Sequence, residues 1–387
     1  MTIKKLGDIS SFQRGLTYKK DDESTLSSKR VLRSNNIDID SSSLDLTEVK
    51  YLRDDFFIPE DKKLKANSIF ICMSNGSKQH VGKVAFIEKD MDYAFGGFMG
   101  LVVPSSEVSA KYVFYACRSS AYRTFLSHIE NGIGITNLRF SDLEKFEIPI
   151  PSITAQQRIV AELDLLSGII EKKNAQLRTL DELANTIFYE MFGNIDDSPY
   201  DIKPLSKLSP FKLSYGSGAS AVDYNGMVRY IRITDIEEGG TLTNAPMSPD
   251  TFDEKYLLND GDILFARSGA TVGKTYLYKK TEGKAIFAGY LIRFIPDERI
   301  VLPEYIYYFT RSQYYRSFVR LNAQAVAQPN INAQQYGGLK VSVPPMPLQK
   351  AFAKKIASIN CQKEIIMLSV KSAQQLLESR MNSYFSI

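Results

Sequence analysis

From Ile159 onward, apolar side chains recur in alternating steps of four and three. Ile159, Leu163, Leu166, Ile170, Leu177, Leu180, Ala184, Ile187 and Met191 keep this rhythm, with Lys173 its one polar member. Such spacing marks the seam of a coiled coil rather than the wider stripe of a helix lying on a globular core. No proline interrupts the run, and Phe192-Gly193 supplies a stop. The pattern predicts one continuous helix over 153–193, about 55–60 Å long at the standard rise per residue. The same seam returns 193 positions later, at Phe352, Ile356, Ile359, Lys363, Ile366, Val370, Ala373, Leu377, Arg380 and Tyr384, predicting a second helix over 346–387. The first run carries four basic and six acidic residues over 154–193, and the second six basic and two acidic over 347–387. Two long seams of opposite charge in one chain should pair with each other.

The stretches before the helices are also repeated. Lys5–Ile9 matches Pro204–Leu208 and Val31–Ile37 matches Tyr230–Ile236, both at a shift of 199. Ser68–Ser74 matches Asp262–Ser268 at 194, and Ala94–Pro104 matches Ile286–Pro296 at 192. From Tyr112–Arg123 against Tyr305–Arg316 the shift settles at 193. Drift confined to loops is the residue of duplication followed by divergence, so the chain is a globular module plus a helix, twice. Short β-branched and aromatic runs separated by Gly, Asn and Ser turns predict strands in each module. The Tyr112 and Tyr305 blocks predict amphipathic helices of three to four turns. The expected class is α+β: two tandem mixed α/β modules over 1–152 and 194–345, each followed by its long helix. If the helices pair antiparallel, one module sits at each end of the rod, about an approximate two-fold axis.

Composition narrows the chemistry. Three widely spaced cysteines (Cys72, Cys117, Cys361) form neither a disulfide framework nor a Cys-x-x-Cys metal pair, which suits a reducing cytoplasm. Only His80 and His128 are histidines, which disfavours a zinc site or a histidine-based hydrolase. No apolar run reaches the length of a membrane span. The net charge of +4 falls largely on the second long helix, so any nucleic-acid surface must come from local clustering.

The run Gly261-Asp-Ile-Leu-Phe-Ala-Arg-Ser-Gly-Ala-Thr-Val-Gly-Lys274 resembles the best-known stretch of the target-recognition domains in specificity (S) subunits of type I restriction–modification enzymes. Gly134–Pro151, followed by Ala155-Gln-Gln-Arg-Ile-Val160, is similar to that family's entry into its first conserved helix. The similarity extends over essentially the whole chain. It implies two target-recognition domains, each reading half of a split site on double-stranded DNA. It implies an antiparallel helix pair that binds two adenine-methyltransferase (M) subunits, with nuclease-translocase (R) subunits added for restriction. It implies no catalysis and no cofactor on this chain, S-adenosylmethionine and ATP being bound by the partners. The modules differ: Met73 stands opposite Arg267, Asn75 opposite Gly269, and the first copy carries three extra residues within Gly76–Gln79. In the second copy Gln328-Pro-Asn-Ile331 replaces Ile135-Thr-Asn-Leu138, keeping only the asparagine, Asn137 or Asn330.

Within this frame, a tight glycine loop would let the backbone approach DNA while Arg267, Ser268, Thr271 and Lys274 face bases or phosphates. Its counterpart offers Ser74, Asn75, Lys78, Gln79 and Lys83. Arg33 and Arg232 lie in strands followed by Asn35, Asn36 and by Thr234, Asp235; these side chains either read bases or close an Asx turn. Arg14, Tyr215 and Ser217 sit in flexible loops early in each module. The tyrosine blocks are either stacking surfaces or core. Two competing readings remain. Gly269-Ala-Thr-Val-Gly-Lys-Thr275 is one residue short of a phosphate loop, which would make the chain a nucleotide-hydrolysing enzyme. Alternatively, the helices make it a scaffold without a DNA role.

Overall fold

A computed structural model describes residues 2–129, 137–323 and 329–386. The chain divides into two compact units, Met1–Asn174 with Leu368–Ile387, and Ala175–Met367. In the first, Ser10–Arg14, Met99–Pro104, Ser68–Cys72 and Val84–Ile87 form a four-stranded antiparallel sheet in that order. Ser68–Cys72 is buried along its whole length because both faces of the sheet are covered. Ile69 and Ile71 point into a core shared with the helices. Phe70 and Cys72 point into a second core with Leu32, Leu64 and Phe95. Those last three belong to a five-stranded sheet in which Lys29–Leu32 runs parallel to Met91–Phe95.

The second unit repeats this plan. Ser214–Tyr215, Leu291–Phe294, Ile263–Ala266 and Thr275–Leu277 form the antiparallel sheet, again with odd and even positions of the middle strand facing separate cores. Arg229–Ile231 runs parallel to Ala285–Phe287. In each unit a short antiparallel pair, Thr2–Lys5 with Glu147–Ile150 or Ile202–Pro204 with Lys340–Ser342, lies just before a long helix.

The tyrosine blocks differ from expectation. Each is two helices rather than one: Ala110–Ala116 and Ser120–Ile129, Pro303–Phe309 and Gln313–Ala323. The break falls at the Arg-Ser pairs because Ser119 and Ser312 accept from the amides of Tyr122 and Tyr315, starting a new helix. Tyr112, Tyr115, Tyr305, Tyr308 and Tyr315 are core, and burial pushes their phenols far above the ordinary value.

The long helices span Ile153–Phe192 and Met346–Phe385, 40 residues each. Gly193, at φ +69°, ends the first by donating its amide to Tyr189 O at 2.8 Å. Within each unit the start of one helix lies beside the end of the other, so the pairing is antiparallel. In the first unit Arg380 and Tyr384 both donate to the Glu162 carboxylate. In the second, Lys363 donates to Asp181 at 2.5 Å. Both pairs join an acid of the acidic helix to a base of the basic one.

Burial along the seam is uneven. Ile159, Leu163, Phe352, Ile356, Ile359, Val370 and Leu377 are buried, whereas Leu166, Ile170, Leu177, Leu180, Ile187 and Ile366 are only partly so. Toward each helix end the buried stripe leaves the heptad. Phe188 and Phe192 are buried in place of Ile187 and Met191, and Met381 and Phe385 in place of Arg380 and Tyr384. The cause is a second neighbour. Phe192 meets Phe352 of the other helix and Tyr305 of the second module, and Phe385 meets Tyr112 of the first. A stripe at steps of four serves module and helix together.

Candidate nucleic-acid interface

Three loops converge at one end of the four-stranded sheet in each module. The first follows the fully buried strand: Met73-Ser-Asn in one copy, Arg267-Ser-Gly in the other. The second returns after the helical pair, where Asn137 bridges to Ser74 and Asn330 to Ser268. The third is the turn Gly96-Gly-Phe98 or Ala288-Gly-Tyr290. Phe98 O accepts the amides of Met73 and Ser74 at 2.9 and 3.1 Å, and Tyr290 O accepts that of Arg267 at 3.1 Å. Close backbone passage locks the arrangement. A Cβ at Gly15 would sit 2.0 Å from Gly96 O, and one at Gly216 would sit 2.3 Å from Phe287 O. Only glycine fits there.

In the first module the first and third of these loops border an open cleft of about 1140 Å³. It brings together Arg14, Arg33, Asn35, Ser74 and Asn75 from the sequence-derived candidates. It also gathers Tyr18, Lys19, Lys20 and Phe98, which the sequence reading missed. Asn75 donates to Ser34 Oγ at 2.7 Å, tying the two candidate loops together. Burial raises the Tyr18 phenol, with the Arg33 guanidinium opposing it. Phe98 is 72% exposed and its counterpart Tyr290 62%. The available signal was an aromatic directly after a glycine at the same aligned position in both copies.

In the second module Arg267 is held ready. Its guanidinium lies 4.8 Å from the Tyr215 ring centroid, and its Nε donates to Asn330 Oδ1 at 3.3 Å. Tyr215 OH in turn accepts the Ala333 amide at 3.1 Å. Thr271 donates to Ser268 O at 3.2 Å within the single turn Gly269–Thr271.

Other candidates are turned inward. Asn36 is buried, accepting the Arg33 amide and donating to Asp45 O and Glu48 O. Asp235, also buried, accepts from the Arg232 amide and grips its guanidinium, which raises the Arg232 pKa. Both close the turn that follows a strand ending at Leu32 or Ile231, so Arg33 and Arg232 lie just beyond the strands rather than in them. Lys83 and Lys274 reach across to the carbonyls of Ile37 and Ile236, at 2.7 and 3.3 Å. Burial pulls the Lys83 ammonium below its ordinary value. Ser217 is buried and caps its own turn through the Ala219 amide, whereas Thr234 is exposed. Lys78 and Gln79 are exposed on the turn Lys78–His80, away from the lining of the cleft. Gly134, Ile135, Thr136 and Gln328 of the quoted runs lie outside the described residues.

The arrangement offers fork-shaped and amide donors around exposed aromatics, the equipment for base edges and phosphates. Gly269–Thr271 leads into the strand Thr275–Leu277 and not into a helix. The row of free amides that a phosphate loop needs is therefore missing there, and the nucleotide-hydrolase reading loses its basis. Among the described residues no cluster of His, Cys, Asp and Glu could hold a metal ion.

Two copies of one module, each presenting a three-loop polar surface and each built onto paired long helices, define a tandem recognition protein. The model of the type I restriction modification DNA specificity domain matches residues 1–179 and 218–368, and the chain belongs to that family. The type I restriction enzyme StySPI specificity subunit of Salmonella potsdam is 25% identical over 94% of this chain and 83% of its own length. The EcoKI specificity subunit of Escherichia coli K12 is 24% identical over 96% and 84%. The S subunit of a type I restriction–modification system from M. genitalium shares the fold, with a TM-score of 0.54 at 15% identity, covering 100% of this chain and 96% of that one. A chain from a structure of type I complex assembly and conformational transition has a TM-score of 0.50 at 14% identity, over 99% and 97%. The chain is a DNA sequence-specificity subunit, of a kind with no catalysis of its own. No helix among the described residues is long and apolar enough to cross a membrane.

Proposed function

We propose that each module reads one half of a split site on double-stranded DNA. The paired helices and their junctions with the modules hold two adenine-methyltransferase subunits, and restriction subunits join for cleavage. S-adenosylmethionine and ATP belong to those partners, and the complex works in the cytoplasm. The observation that carries this reading is the duplicated three-loop surface with unlike side chains at matching places, Asn75 against Gly269 and Phe98 against Tyr290, while Met73 opposite Arg267 turns into the core. One scaffold with two lining sets suits two different half-sites. The test is the motif methylated by this chain with its cognate methyltransferase. Replacing residues 1–152 with another first module should change one half of the motif and leave the other. A continuous motif, or one indifferent to the exchange, would refute the split-site reading.

A further inference from the structure

In the second unit, Arg311, Arg316 and Arg320 surround an open cleft of about 480 Å³ with Asn185 and Tyr189 of the first long helix. Among the described residues no carboxylate lines it. Arg311 is fixed: its guanidinium lies 3.4 Å from the Tyr307 ring centroid and donates to Tyr307 O at 2.8 Å and Gly239 O at 3.2 Å. Arg316 and Arg320, one turn apart on Gln313–Ala323, are exposed. Three like charges around one cleft repel one another until an anion joins them.

The duplication supplies an internal comparison. At the shift of 193, Asn185, Tyr189, Arg316 and Arg320 correspond to Glu378, Asn382, Arg123 and Ser127. In the first unit Arg123 donates to Glu378 at 2.8 Å, and Ser120 to Asn382 at 2.6 Å. The bridge recurs in the second unit, where the Gln313 amide donates to Tyr189 OH at 2.8 Å, and Arg118 stands at the place of Arg311. What distinguishes the first unit is that Glu378 pairs the arginine matching Arg316. The second copy has lost the acid and gained an arginine.

The helix Gln313–Ala323 is also the support of the glycine loop that carries Arg267, Ser268 and Thr271. Tyr315 OH donates to Gly273 O at 2.9 Å, and Val319 lies against Gly273. Arg316 and Arg320 directly follow Tyr315 and Val319, just over a quarter turn round the axis, so the helix that braces the loop also carries the charged ridge. An acidic protein partner would not require this adjacency. A nucleic-acid strand crossing the loop would, and guanidinium forks match phosphate oxygens two at a time. We propose that the cleft binds a backbone phosphodiester beside the half-site read by the second module, and that the first module has no such clamp. The proposal rests on the reading of the second module as a DNA reader.

The test uses the full chain assembled with its methyltransferase subunits, and duplexes with and without the methylated motif, across a salt titration. Asn185→Glu copies Glu378 and should neutralise the ridge by an ion pair. Arg316→Gln with Arg320→Gln removes the charge directly. Each variant should reduce the slope of log affinity against log salt by about 1, weaken both duplexes by the same factor, and leave the methylated motif unchanged. An unchanged slope in both variants, while Arg267→Ala still relaxes selection, overturns the clamp and leaves the recognition reading standing. Loss of subunit assembly with an unchanged slope assigns the ridge to a protein partner and overturns it too. If Arg267→Ala also keeps full selectivity, the reading of the module itself has failed.

Discussion

At the scale of single residues, the second module's reading surface depends on how far Arg267 is pre-positioned. Stacking on Tyr215 and the bond to Asn330 restrict its guanidinium before any ligand arrives. Less rotamer freedom then remains to be lost on binding. Arg267→Ala should relax base selection in one half of the methylated motif by roughly 1–3 kcal/mol, read as relative methylation of single-base site variants, with assembly intact. The cysteines give a second expectation. Burial pushes the Cys72 thiol up to about 11 and the Cys117 thiol up to about 12, whereas Cys361 is exposed on a helix. At neutral pH a thiol reagent should modify one cysteine of the native chain quickly and all three only after unfolding. Fast native labelling of Cys72 would contradict the closed sheet that buries it.

At the scale of elements, the two modules solve one packing problem in two ways. The second buries an ion pair, Arg293 with Asp262 at 2.5 Å, across adjacent strands. In the first the equivalent places hold Leu101 and Ser68. Arg293→Leu alone leaves a buried carboxylate without its partner and should cost about 3–5 kcal/mol, measured by denaturant unfolding. Asp262→Ser with Arg293→Leu, which copies the first module, should cost much less than the two singles added together. Strict additivity would show that the pair does not interact. The repeated tyrosine and glutamine bonds tell the same story of a reused scaffold. Tyr112 donates to Pro149 O and Tyr305 to Ser342 O, both at 2.7 Å. Gln156 and Gln349 each accept the amide that precedes a module helix, from Ser109 and from Leu302. These residues keep the module attached to its helix, so loops vary while the frame stays constant.

At the scale of the whole molecule, charge on the helices gives their pairing a pH dependence. Hydrogen bonds from Arg380 and then Tyr384 hold the Glu162 carboxyl below the usual carboxylate range. A depressed folded-state value contributes stability above that range and loses it as pH falls through the folded value. Asp262 runs the other way. Burial raises its carboxyl, so its contribution declines as pH rises from the ordinary range through the raised value. Glu162→Gln should therefore flatten the acid side of the melting-temperature profile of the full chain. An acid limb that stays as steep would place the pairing energy in the apolar seam instead.

Much of this protein was legible in one dimension. Duplication shows as constant shifts, the helices as a seven-residue rhythm, and their partnership, though not its direction, as opposite charge on two matching seams. These are periodic properties, which depend on spacing along the chain and on little else. The site was less legible. Asn36, Asp235, Lys83 and Lys274 have the chemistry of DNA contacts, yet they fold inward to satisfy backbone groups that the sequence could not show to be buried. Phe98 and Tyr290 look like core residues in a string, yet turns held by the neighbouring loop leave them in solvent. Likewise the drift of the seam to Phe188, Phe192, Met381 and Phe385 follows from a module pressing on the helix from a second side. Sequence by itself determined the repeat and the long helices, because each follows from local periodicity. Tertiary structure decided which polar side chains remain free for a ligand, because that depends on what distant loops leave unsatisfied when they meet.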